Sequence, residues 1–289
     1  MLLAVSIVLA ALIVSAAVYV SSSSISDALD KVRLASTQTQ ATAPAQNTGA
    51  GTGAGTGTGT GSGTGTAPQP TTPPTSTPIS ISLAGKTPAG AADGSIIVVE
   101  YSDFQCPYCE RAVPVINQIE STYSDVSVYY KYFPLPASMH PQAQISAQAG
   151  ECANMQGKFW PYHDLLFSNQ QALMPADLKK YAITAGLDSA KFNDCLDSNA
   201  SAAVVSADQN EGNSIGVSGT PSFVIYAKDK KQSTFTALAA YASALKTKYS
   251  GQIDAQIVEV NGAGYGVFFS GALPFEDFQA AIGAIKNAA

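Results

Sequence analysis

The chain has 289 residues, a formal charge of −6 at neutral pH and 46% hydrophobic composition, enough for one or two globular domains once low-complexity sequence is set aside. Its few Lys and Arg residues are scattered along the chain. That excludes the concentrated basic face that nucleic-acid binding requires.

Met1 to Val20 carries no charged side chain and is apolar apart from Ser6, Ser15 and Tyr19. As a helix it is long enough to cross the roughly 30 Å of hydrocarbon in a bilayer, and it reads as a transmembrane anchor. A cleavable signal peptide is the competing reading: Ser15, Ala16 and Ala17 favour it, while the lack of a basic leading segment opposes it. Lys31 and Arg33 beyond the apolar run argue that the chain on their side of the membrane stays in the cytoplasm. The cysteines and the tether argue for the outside, and the redox argument is the stronger of the two. Residues 21–78 form a linker that from Thr37 to Pro78 is dominated by Gly, Thr, Ser, Ala and Pro without apolar periodicity. Such sequence cannot build a core and is expected to be disordered, with a reach on the order of 35 Å for about 40 residues.

Globular composition begins near Ile79. Asp93-Gly94 turns into a strand from Ser95 to Tyr101, a helix comes next from Cys106 to about Tyr123, and Val126 to Phe133 alternates as a second strand. The stretch from Pro141 to Gly216 is helical, with pieces at Phe159 to Phe167, Ala176 to Ala185, a helix capped by Asp188 that runs to Leu196, and Asn199 to Asn213. Strands return at Ser222 to Tyr226 and Tyr265 to Phe269, and Pro274 opens a last helix with Phe278, Ile282 and Ile285 on one face. Between those strands, residues 229–263 hold Leu238, Tyr241 and Leu245 at helical spacing and a further strand from Ile253 to Val260. Gly262, Gly264 and Gly266 lie there at alternate positions. No helix comes after them, so they mark a hairpin turn rather than a phosphate loop.

The chemistry is concentrated in Cys106-Pro107-Tyr108-Cys109, placed after the buried run Ile96-Ile97-Val98-Val99 at the first turn of a helix. Cysteines three apart on one turn can join their sulfurs. The first is expected to face solvent, where unpaired N–H groups and the helix dipole favour a thiolate. Cys106 is therefore the nucleophile and Cys109 the resolving thiol, while Pro107 suits a first helical position, where a missing N–H costs nothing. A zinc site is the bland alternative. It would need a second close ligand pair, which Cys152, Cys195, His140 and His163 do not supply. No metal is expected.

Together with Phe133-Pro134-Leu135-Pro136 through His140, Gln156 to Trp160 with Tyr162-His163, and Gly216 to Phe223, this motif resembles the DsbA-like branch of the thioredoxin fold. The resemblance covers residues 79–289 and implies an α/β thioredoxin fold: βαβ, a helical insertion over about 138–216, then ββα. Residues 229–263 depart from it, since the family usually has a tight hairpin there. Glu100 matches the family's buried acid near the resolving cysteine; a paired surface group at the strand end is the alternative. Thr220-Pro221 resembles the cis-proline segment that faces the cysteines and pairs with extended peptides, the alternative being an ordinary trans turn. Tyr108 stands where the strongest oxidants of the family carry histidine, which implies a weaker oxidant.

The activity implied is thiol:disulfide exchange on reduced or misoxidised exported polypeptides, with no metal or organic cofactor. A DsbB-like or vitamin K epoxide reductase-like membrane protein would serve as reoxidant, and the domain would sit outside the cytoplasm on a single-pass anchor. A reductase or isomerase with the same site, and a non-catalytic tethered binding module, are the rival readings. In an exported chain Cys152 and Cys195 are expected to form a structural disulfide, where a cytosolic chain would keep them as free thiols. His140, His163 and Trp160 read as packing and hydrogen-bonding residues.

Overall fold

The computed structural model describes residues 75–288. The expected anchor at 1–20 and all but the end of the linker lie outside that range, and among the described residues no helix is long and apolar enough to cross a membrane. Seven strands form one sheet: β1 (Thr77–Ile79), β2 (Ala89–Gly90), β3 (Ile96–Ser102), β4 (Val126–Tyr132), β5 (Ser222–Ala227), β6 (Gln256–Val260) and β7 (Gly264–Ser270), in spatial order β1-β6-β7-β5-β3-β4-β2. Eight described helices accompany them: α1 (Pro107–Thr122), α2 (Ala143–Asn154), α3 (Phe159–Phe167), α4 (Pro175–Thr184), α5 (Ser189–Asp197), α6 (Ala202–Ser214), α7 (Gln232–Lys248) and α8 (Phe275–Lys286).

β3 is buried along its whole length, parallel to β4 on one side and antiparallel to β5 on the other. A strand covered on both faces can be apolar at every position, which is why Ile96 to Val99 reads as a run rather than an alternation. The two faces still separate by period two. Ile96 and Val98 pack with α1, α7 and α8 through Ile116, Leu238 and Phe278, whereas Ile97, Val99 and Tyr101 join Val224, Tyr226 and Phe268 on the other side. The helical block has a third core, and Tyr130 and Tyr132 from the end of β4 enter it beside Phe104 and both motif cysteines. That core reaches the dithiol directly. A side chain at Gly150 of α2 would place its Cβ 2.9 Å from the Phe104 ring, so only glycine lets the helix approach this closely.

The thioredoxin-like α/β plan agrees with the expectation, with two differences in detail. The linker composition runs to Pro78, yet Thr77 and Pro78 belong to β1, which pairs in parallel with β6. Composition marks what cannot make a core and is silent on which short pieces are captured at a sheet edge. β2 is two residues long and carries no periodic signal. The 229–263 insertion holds the expected helix and strand, the strand beginning at Gln256 and not at Ile253, and both are built into the fold. Its helix α7 covers the sheet, and β6 pairs antiparallel with β7 through Asn261, Gly262 and Ala263, where Asn261 (φ 53°) and Gly262 (φ 67°) are both left-handed and the Ala263 N–H closes the turn on the Val260 carbonyl.

A buried ionic cluster fastens the helical block to the sheet. Lys131 of β4 contacts Asp208 at 2.7 Å and Glu211 at 3.1 Å, and Lys86 contacts Asp208 at 2.7 Å and Glu151 at 3.4 Å. Lys131 also donates to the Ser82 carbonyl, and Tyr101 donates to Glu211, both across the layers.

Candidate active site

The motif sits where β3 hands over to α1. Cys106 is the N-cap in extended conformation (φ −79°, ψ 121°), and Pro107 occupies the first turn, where its lack of an N–H breaks no bond. The N–H of Cys109 and of Glu110 both reach back to the Cys106 carbonyl, at 3.0 and 3.2 Å. Tyr108 projects outward with the Arg111 guanidinium 4.3 Å from its ring centre. Both thiols are free.

Helix placement predicts a solvent-facing Cys106, and here the structure differs: the residue is 3% exposed and Cys109 is 0% exposed. The cover comes from remote segments. The Cys106 thiol donates to the Thr220 carbonyl at 3.4 Å, across the cis Thr220-Pro221 bond segment. Beneath it, Gln170 in the α3–α4 connection donates to the carbonyls of Phe104 at 2.8 Å and Cys106 at 2.9 Å. Neither contact is local, so neither is visible to helix-start reasoning.

The two thiols are electrostatically unequal. A hydrogen bond from Cys109 lowers Cys106 to about 5 against the effect of its own burial, and the Thr220 side chain and the backbone N–H groups of Cys109 and Tyr108 act in the same direction. Burial first, then the hydrogen bond to Cys106 and the charge of Glu100, push Cys109 well above an ordinary thiol. Glu100 is 3% exposed and lies in β3 beneath the pair. Burial raises its carboxyl to about 7, opposed by Ser102 and assisted by the charge on Cys106. Of the two sequence readings of Glu100, the structure has the buried one.

Asp103 is a site residue that sequence reasoning missed. Its carboxylate accepts from the Gln105 N–H at 2.7 Å and the Leu135 N–H at 2.9 Å and meets His140 Nδ1 at 2.7 Å, while its own N–H points to Cys109 Sγ at 3.5 Å. The bond to the residue two positions on is the local signature of an aspartate turn, the one sequence signal available. His163, buried among Phe104, Tyr130, Phe159 and Trp160, is lowered by that burial and serves the core. Cys152 and Cys195 are bonded to each other and not to a motif cysteine, tying α2 to α5. They are thereby removed as metal ligands, and among the described residues no cluster of three His, Cys, Asp or Glu side chains is placed to hold a metal.

A thioredoxin family profile matches residues 84–259, more than half of the chain. The chain belongs to the thioredoxin family. A thioredoxin-like oxidoreductase from Silicibacter pomeroyi superposes with a TM-score of 0.52 at 20% identity, covering 71% of this chain and 95% of that one. It shares the fold. The Na(+)/H(+) antiporter NhaA 3 of Salinispora tropica is 39% identical over 136 residues, which are 47% of this chain and 21% of the antiporter. NhaA 1 of Salinispora arenicola is 38% identical over 136 residues with the same coverage. The chain thus spans about a fifth of the length of these curated relatives. A block of helices, α2 to α6, separates the βαβ half of this thioredoxin-family fold from the second half, which holds β5, β7 and α8.

Proposed function

We propose that the chain is a thiol:disulfide oxidoreductase of DsbA-like type, forming or exchanging disulfides in exported polypeptides through Cys106 and Cys109. The observation that carries the reading is the placement of the pair, two free thiols one turn apart at the start of α1 with Cys106 against the Thr220 carbonyl, an arrangement that lowers Cys106 and pushes Cys109 up. A stabilised Cys106 thiolate is a ready leaving group and favours the dithiol form of the enzyme, which makes the disulfide form an oxidant. This favours the oxidase direction over reductase or isomerase.

In that direction a substrate thiolate attacks the Cys106 sulfur, the Cys106–Cys109 bond breaks, and Cys109 leaves and takes up a proton. A second substrate thiolate then attacks its partner sulfur in the mixed disulfide and releases the Cys106 thiolate. The substrate thiols are oxidised and the enzyme disulfide reduced. All electrons stay on sulfur, so no metal or organic cofactor enters. Glu100 is assigned the proton exchange with Cys109, Pro107 the geometry of the turn, and Tyr108 the exposed edge of the site and a weaker oxidising power than histidine would confer. Thr220 and Pro221 are assigned the backbone of the substrate, whose approach displaces the Cys106 thiol from the Thr220 carbonyl. Renewal of the disulfide calls for a DsbB-like or vitamin K epoxide reductase-like membrane partner. Residues 1–20 as a single-pass anchor and 21–78 as a linker would hold the domain, 79–289, outside the cytoplasm and near that partner.

The test is oxidative refolding of a reduced, disulfide-containing protein in a glutathione buffer. Wild type is expected to accelerate it, Cys106→Ser to be inactive, and Cys109→Ser to accumulate mixed disulfides on non-reducing gels. A wild type that neither oxidises nor reduces a protein substrate would leave the non-catalytic binding module as the better reading.

A further inference from the structure

Alternate residues of a strand share a face, so Glu100 and Ser102 both point toward α1 from β3, and the parallel register sets Tyr130 of β4 directly beside Glu100. The hydroxyls of Ser102 and Tyr130 are buried, their residues 1% and 2% exposed, and neither has a hydrogen-bond partner. Buried hydroxyls are ordinarily paired. These two are left with free capacity next to a carboxyl and a thiol that exchange a proton in the proposed reaction.

We infer that the Ser102 hydroxyl passes the proton between Cys109 and Glu100, and that the Tyr130 hydroxyl donates to the Glu100 carboxylate while it waits for that proton. The inference rests on the dithiol reading above and deepens it. When Cys109 resolves a mixed disulfide on Cys106, its S–H proton goes to Ser102 Oγ as the Ser102 proton goes to Glu100. The Cys109 sulfur bonds to Cys106, the bond from Cys106 to the substrate sulfur breaks, and the substrate leaves as a thiolate. The cysteines are oxidised and the substrate disulfide is reduced, with no other reactant. In the oxidising direction Glu100 returns the proton to Cys109 by the same route.

A serine suits this role because it accepts and donates at once. Its side chain lies near enough to Glu100, Cys109 and Tyr130 to oppose the upward push on each, while forming no hydrogen bond to any of them in the resting structure. Tyr130 is held in place: its ring stacks on Phe104 at 5.0 Å and meets His163 edge-on at 5.4 Å. Burial, then the charges of Cys109 and Glu100, push its phenol well up, so it stays protonated and able to donate. The other groups acting on Glu100 are the two cysteines of the α1 start, while Asp103, past the strand end, acts on Tyr130; from β5 the register partner is apolar Phe223.

The test uses the full chain in its dithiol form and a nitrobenzoate disulfide probe that liberates one coloured thiolate when Cys106 attacks and a second when Cys109 resolves. Ser102→Ala and Tyr130→Phe are expected to slow the second release by roughly tenfold or more at pH 7, with its pH midpoint moved upward because Glu100 loses a donor to its charged form. The loss falls on the second release and not the first, and Ser102→Thr, which keeps the hydroxyl, restores it. A second release with wild-type rate and midpoint in a folded Ser102→Ala overturns the inference while leaving the dithiol reading intact. Should Ser102→Ala not fold, an unmoved midpoint in Tyr130→Phe overturns it equally. A wild type with no second release sinks the dithiol reading and this inference together.

Discussion

The side-chain amide of Gln170 donates to the Cys106 carbonyl at 2.9 Å, so the connection between two helices of the insertion holds the residue that caps the motif helix. The same nitrogen reaches the Phe104 carbonyl at 2.8 Å. A primary amide with two protons can bridge two carbonyls in this way, and Gln170 is itself buried. The insertion therefore shapes the site without contributing a reacting atom.

Gln170→Leu is expected to fill the same space while leaving the buried Phe104 carbonyl without this donor, a loss of about 1–3 kcal/mol. Because the peptide units around Cys106 are then less fixed, iodoacetamide should modify the Cys106 thiol with a pH midpoint above that of wild type. Urea unfolding and the alkylation profile check the two halves separately. An unchanged midpoint would show that the N-terminal turn of α1 is rigid without its clamp.

Lys131→Met tests the ionic cluster. Lys131 is almost fully buried between Asp208 and Glu211, and removing one member of such a cluster strands the others in a medium that solvates them poorly. A loss of roughly 3 kcal/mol is expected, read as a lower urea midpoint with little change in slope. Asp208 keeps Lys86 at 2.7 Å, so Glu211 and its bond from Tyr101 should be the parts that rearrange.

The Cys152–Cys195 bridge closes a loop with a sequence separation of 43. In the chain-entropy account such a loop is worth roughly 4 kcal/mol, so the Cys152→Ser/Cys195→Ser protein should unfold at a markedly lower temperature. Because neither sulfur of the bridge is bonded to Cys106 or Cys109, Cys106 reactivity in that protein should stay at the wild-type level at a temperature where it is folded. A thermal scan and an alkylation rate decide the two points.

These contacts mark the limit of what is legible in the sequence. β3, α1 and the dithiol are local: an apolar run, a proline at the first turn and two cysteines one turn apart determine where the sulfurs sit. Their cover is not local. Thr220 lies 114 residues from Cys106 and Gln170 lies 64 away, and no periodicity in either segment announces the partnership. The same holds for Lys131 and Asp208, which as isolated letters in a strand and a helix read as solvated charges. Asp103 is intermediate, since its bond to Gln105 is a turn signal but its bond to His140 appears only once the chain is folded.

The last expectation concerns Glu100 and pH. Burial lifts its carboxyl from 4.5 to about 7 in the folded protein, so the folded state holds this proton more tightly than the unfolded chain does. Stability is therefore unaffected below the unfolded value and is lost as pH rises from about 4.5 toward about 7, where the folded protein must accept a buried charge. Glu100→Gln removes that loss. In a Cys106→Ala/Cys109→Ala background, where neither thiol titrates, the glutamine variant should match its parent near pH 4 and exceed it by on the order of 2–3 kcal/mol at pH 8. Urea unfolding across that range measures the difference directly. Parallel pH profiles for the two proteins would mean that the Glu100 carboxylate is well solvated or paired in the folded state, and would remove it as the group that trades a proton with Cys109.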